Sequence, residues 1–118
     1  MQAQQMVNLT PHALTFVTSA GAINVPPSGQ MSRARYEAAH VTDVAGIPAY
    51  RNLLSTPDGL PPPQDGVIYV VSAMVQQALR ANGIERHDVF SPGTGQNDGP
   101  VRDPQGRIVA VTRLVQLP

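Results

Sequence analysis

Val67-Ile68-Tyr69-Val70-Val71, followed by Ser72 and then by Ala73-Met74-Val75-Gln76-Gln77-Ala78-Leu79-Arg80-Ala81, decides the fold. The first five residues are β-branched or aromatic with no polar alternation, which predicts a strand buried on both faces. Ser72 stands where a helix needs its N-cap, and Val71, Met74, Val75 and Ala78 recur at helical spacing. Asn82-Gly83 offers the left-handed C-cap that ends such a helix. Asp65-Gly66 turns the chain into the strand.

Toward the C-terminus, Ile84 to Val89 leads back to the sheet, and Ser91 to Pro100 is a polar loop. Asp103-Pro104-Gln105-Gly106 fits a type I turn, with Asp first, Pro second and Gly fourth. It joins a short strand, Val101-Arg102, to a long one over Arg107 to Leu117. Apolar residues on both faces of the long strand place it centrally in a sheet or at a subunit interface. Toward the N-terminus, Thr56 to Pro63 is a Pro-rich surface loop, and Ile47 to Leu54 reads as a strand. Met31 to Val44 alternates with period two around Arg33, Arg35 and Glu37, so it too reads as a strand. Ala22 to Val25 and Ala13 to Val17 flank a turn at Ser19-Ala20-Gly21. Val7 to Val17 reads as one strand interrupted by a jog at Pro11-His12, because proline cannot donate to a central ladder. Asn8 and Thr10 have side chains suited to capping the backbone groups freed there.

Together these readings give an α+β fold: a small, mostly antiparallel sheet or partly open barrel with one main helix over 72–82. The 118 residues form one domain, 1–118, with a flexible N-terminus over 1–6. Apolar residues are 42% of the chain but aromatics only 4%, so the core rests on small aliphatic side chains. A core that modest, together with a two-faced strand, predicts an oligomer.

The formal charge is +0, which argues against binding a nucleic acid polymer. All eight basic residues are Arg, whose planar fork suits phosphate and carboxylate; a GC-rich genome gives the same bias. Without cysteine, thiol catalysis and Cys-based zinc sites are excluded. No apolar run is long enough to span a membrane, and Met1 to Met6 is Gln-rich with no basic n-region or apolar h-region, so no signal peptide and a cytoplasmic location are expected. His12, His40 and His87 lack metal-ligand spacing, and Ser28, Ser72 and Ser91 lack a nucleophile-elbow context. The expectation is therefore no metal, no cofactor and no catalytic residue.

The stretch from Phe90 to Asp103 is the candidate site. It holds a ring able to stack on a base, glycines (Gly93, Gly95) that leave backbone N–H groups open, the amides Gln96 and Asn97, and Arg102. The alternative for the same residues is a solvated loop with a core Phe at its base.

Val7-Asn8-Leu9-Thr10-Pro11-His12, Pro26-Pro27-Ser28-Gly29 with Ala34-Arg35, Gly66 to Ser72, Arg86-His87-Asp88-Val89, Ser91-Pro92-Gly93-Thr94 and Val101 to Ile108 form an ordered set of short blocks over most of the chain. In that order they resemble the first-described family of phage anti-Thoeris signal sponges. The resemblance implies a β-rich protomer that assembles into dimers and hexamers. It implies sequestration, without cleavage, of a cyclic nucleotide immune signal such as glycocyclic ADP-ribose, related sponges taking up cyclic oligonucleotides. It also assigns ligand contacts to Arg35, Phe90, Thr94, Asn97, Arg102 and Arg113. Two other classes stay open: a phage structural or accessory assembly protein with no small ligand, and an enzyme that hydrolyses the signal.

Overall fold

The computed structural model describes residues 5–117. Its main sheet has the order β1-β6-β7-β10, built from β1 (Gln5–Asn8), β6 (Val67–Val70), β7 (Val89–Pro92) and β10 (Leu114–Val115). β1, β6 and β7 run parallel, and β10 pairs antiparallel to β7. Parallel neighbours need a crossover, which α1 (Ala73–Ala81) supplies between β6 and β7. Three antiparallel two-stranded ribbons complete the chain. They are β2 (Leu14–Thr18) with β3 (Gly21–Val25), β4 (Tyr36–Val44) with β5 (Ile47–Leu54), and β8 (Val101–Arg102) with β9 (Ile108–Ala110). The expected α+β class with one helix and mostly small antiparallel sheets is what forms; no closed barrel is present among the described residues.

α1 begins where its sequence places it. The Ser72 Oγ accepts the Val75 N–H at 3.3 Å, and Gly83 at φ +71° follows the C-cap Asn82. The buried stripe is Val75, Gln76, Ala78 and Leu79, with Met74 only half-buried, so the helix is rotated slightly from the face read off the sequence. Leu9, Tyr69, Val71, Val75, Leu79 and Val89 form the core between α1 and the sheet. Arg86 and Asp88 make a two-pronged pair at its edge, both contacts 2.8 Å, and Arg86 also donates to the Pro61 carbonyl at 2.9 Å. The hydrogen bond from Arg86 holds the Asp88 carboxyl below the usual carboxylate range, against the opposing effect of partial burial.

Four expectations are corrected. Residues 1–4 of the expected flexible N-terminus lie outside the described residues, but Gln5 and Met6 belong to β1 and pair with Val67 and Ile68. The Pro11 jog does not interrupt one strand; it separates β1 and β2, which enter different sheets. There the Asn8 Nδ2 donates to the His12 carbonyl at 2.8 Å and the Thr10 N–H donates to Asn8 Oδ1 at 2.9 Å, the lock those side chains suggest. The strand expected from Met31 starts only at Tyr36, because the Ser32 N–H is drawn to the Leu9 carbonyl and Arg33 bridges Asp58. The long strand over Arg107–Leu117 is two short ones, since the chain changes partners at Val111, which bridges Phe16, and at Arg113.

The molecule is elongated. Its radius of gyration is 17.0 Å, against about 13.5 Å for a compact domain of this length. The β4–β5 ribbon stands away from the core, with almost every residue exposed.

Candidate ligand-binding site

β7 leaves the sheet at Pro92, and the loop that follows folds back over the first turns of α1. The Gly93 N–H donates to the Arg113 carbonyl at 2.9 Å. A Cβ on Gly93 would lie 2.7 Å from Arg113 Cγ, so glycine is what lets the arginine stem cross here. The Thr112 hydroxyl holds the other end of the loop through the carbonyls of Asp98 and Gly99, at 3.2 and 3.3 Å. Beneath the loop runs an open groove of about 290 Å³, with Gln76, Gln77, Thr94 and Asp98 as its polar wall and Val115 and Leu117 among its apolar residues.

Gln76 organises this region. Its buried amide donates to Ser91 Oγ at 2.9 Å and to the Val115 carbonyl at 2.7 Å, and its oxygen accepts the Leu117 N–H at 3.4 Å. It also lines a second cavity of about 200 Å³ on the other side, walled by Arg80, Glu85, His87 and Gln116.

The site residues named from the sequence fall in four places. Thr94, Asn97 and Arg113 come together in and under the 93–99 loop: Thr94 lines the groove, Asn97 is exposed near the loop's outer end, and the Arg113 stem lies against Gly93. Phe90 does not join them. Its neighbour Ser91 faces α1, bonded to Gln76, and strand alternation turns the half-buried Phe90 ring to the opposite side of the sheet. Arg102 lies in the β8–β9 ribbon, where its guanidinium donates to the Gly106 carbonyl at 2.7 Å. Arg35 sits at the root of β4, paired with Asp58 at 3.1 Å, in a separate groove of about 410 Å³ shared with Met31, Arg33 and Gly59.

The loop glycines do not leave their N–H groups open. Gly93 is bonded to Arg113, and the Gly95 N–H donates to Asp98 Oδ2 at 2.9 Å. The carboxylate of Asp98 thus sits where a phosphate oxygen would accept. Asp98 and Gln76 line the groove but are not among the residues named from the sequence. Asp98 is the acid of an Asn-Asp-Gly turn, a composition that signals only a loop. Gln76 had a clearer signal, being a polar residue between Val75 and Leu79 on the buried stripe of the helix.

No protein-family model, curated protein sequence or solved structure matches this chain. No described helix is long and apolar enough to cross a membrane, and the described residues contain no cluster of metal-ligating side chains.

Proposed function

We propose that the protein binds a cyclic nucleotide immune signal, glycocyclic ADP-ribose or a cyclic oligonucleotide, and sequesters it without cleavage, as a homo-oligomer in the cytoplasm of a phage-infected bacterium. The observation that carries this reading is the groove under the 93–99 loop, where amide and hydroxyl groups and the Asp98 carboxylate face an apolar wall, with the Arg113 stem against Gly93. Its volume, about 290 Å³, is at the lower edge of the roughly 300–1,000 Å³ usual for small-molecule sites. A dinucleotide-sized ligand would therefore need walls from a second copy, and Arg35, Phe90 and Arg102, which face elsewhere in one protomer, are the groups such a copy would bring. Thr94 and Asn97 would bond the ligand from the loop.

Incubation with a panel of cyclic nucleotides, desalting, heat release and mass analysis tests the reading. Intact recovery supports sequestration, degraded recovery points to an enzyme, and no uptake of any member overturns the proposal. Asp98→Asn sharpens it. If a phosphate takes the place of the Asp98 carboxylate at the Gly95 N–H, removing that charge tightens binding; unchanged or weaker binding places the phosphate elsewhere.

A second reading, a phage structural or accessory assembly protein with no small ligand, is favoured by one observation: the exposed β4–β5 ribbon.

A further inference from the structure

The β4–β5 ribbon is long and is tied to α1 at its root, where the Asn82 Nδ2 donates to the Leu54 carbonyl at 3.1 Å. Its register runs from Tyr36↔Leu54 to Val44↔Ile47, with one irregularity between His40 and Thr42. No third strand joins it, so the outer edges of both strands are open among the described residues. Pairing divides its side chains into two faces. Tyr36, Ala38, His40 and Tyr50 fall on one, with the His40 and Tyr50 rings edge to face at 5.3 Å. Leu53, Ala39, Val44 and Ile47 fall on the other. Ile47 is 66% exposed, Tyr50 60% and Val44 59%. A two-stranded ribbon is at best marginally stable alone in water. This one also carries Ala45 at φ +50° in its two-residue turn, a conformation that disfavours alanine.

We infer that the β4–β5 ribbon is an assembly arm that packs against a second copy of this chain. Area argues for a copy of substantial size. The protomer exposes 8053 Å², whereas a compact monomer of its mass exposes about 6,200 Å². The excess, roughly 1,900 Å², falls within the roughly 1,000–2,500 Å² per partner that obligate dimers bury. Charge argues against a polyanion. The ribbon carries Glu37 and Asp43 against the single Arg51, so neither nucleic acid nor an anionic lipid surface is matched. A near-neutral arm with exposed apolar residues on both faces fits a surface of its own kind, and the second copy's own ribbon is such a surface. The inference deepens the assembly part of the proposed function and is independent of what the loop binds.

Sedimentation velocity at micromolar concentration tests it on the full chain, with circular dichroism to check that α1 persists. The parent is expected to sediment as a dimer or larger, and the double variant Val44→Asp, Ile47→Asp as a folded 12.5 kDa monomer. A parent that sediments at 12.5 kDa, or a variant that keeps the parent's mass, overturns the inference. Should the variant fail to fold, Ile47→Cys supplies the chain's sole thiol for a photocrosslinker. Adducts of two chains then support the arm, and their absence overturns it. The readout is mass throughout, so a failure to take up any nucleotide leaves this result standing on its own.

Discussion

Val75 and Val44 are the same amino acid in opposite surroundings, one 1% exposed in α1 and the other 59% exposed in β4. The difference separates the two halves of this molecule. Around Val75, a strand, a crossover helix and a parallel partner strand bury one another's apolar faces, so sequence pattern and packing agree. Around Val44, pattern and backbone pairing agree, but nothing in the same chain covers the result. The first region is covered within a protomer; the second leaves its apolar residues exposed, which is the ground for the assembly arm inferred above.

The hardest test of that contrast is a matched pair of substitutions. Val75→Asp places an unpaired charge in the core, costs several kcal/mol and should abolish cooperative thermal unfolding near the parent's Tm. Val44→Asp, made on an exposed ribbon, should shift stability by under about 0.5 kcal/mol when both proteins are compared at concentrations where they run as monomers. Equal losses would mean that the ribbon is part of the core's cooperative unit.

Gln76→Ala probes the polar joint of the complete half. It deprives Ser91, Val115 and Leu117 of their partner, and chemical denaturation should register a loss of about 1–3 kcal/mol. A neutral result would show that water replaces the amide without cost.

The Arg86–Asp88 pair gives a pH signature to the same half. Asp88 titrates lower folded than unfolded, so its contribution is fully present above the ordinary carboxylate value of about 3.9. That stability is lost as pH falls from there through the depressed folded value. Asp88→Asn should lower the stability near pH 7 and flatten the acid limb of the curve. An acid limb identical to the parent's would assign the acid sensitivity to other carboxylates.

The smallest effect is expected at the ribbon's turn. Ala45→Asn relieves the left-handed strain and should slow hydrogen exchange of the ribbon amides by no more than a factor of about five. The Tm of the core should stay where it is; a shift would join the two regions that the structure holds apart.

Legibility in the sequence follows the same division. The strand before Ser72, the helix and its caps were readable because local propensity, capping and burial all point one way there. The Asn8–Thr10 lock and the Asp103–Gly106 turn were readable for the same reason, each being closed by side chains within a few residues. The Arg107–Leu117 segment misled because its apolar run hides a change of partners, made by backbone bonds from Val111 and Arg113 to distant residues. At the candidate site, residue types were legible but directions were not. Phe90 and Thr94 are four positions apart, yet strand alternation in β7 turns Phe90 to the side of the sheet away from the groove that the loop brings Thr94 into.

The Gln76 amide has a consequence for motion. β10 has only two residues, so its ladder to β7 is too short to hold it closed. Its attachment is completed by a side chain of α1 that grips the Val115 carbonyl and the Leu117 N–H, and by the Gln116 Nε2, which donates to the His87 carbonyl at 3.0 Å. This end of the fold is thus closed by side-chain amides rather than by a strand ladder, and such a closure can open locally while the β6–α1–β7 unit keeps its own burial.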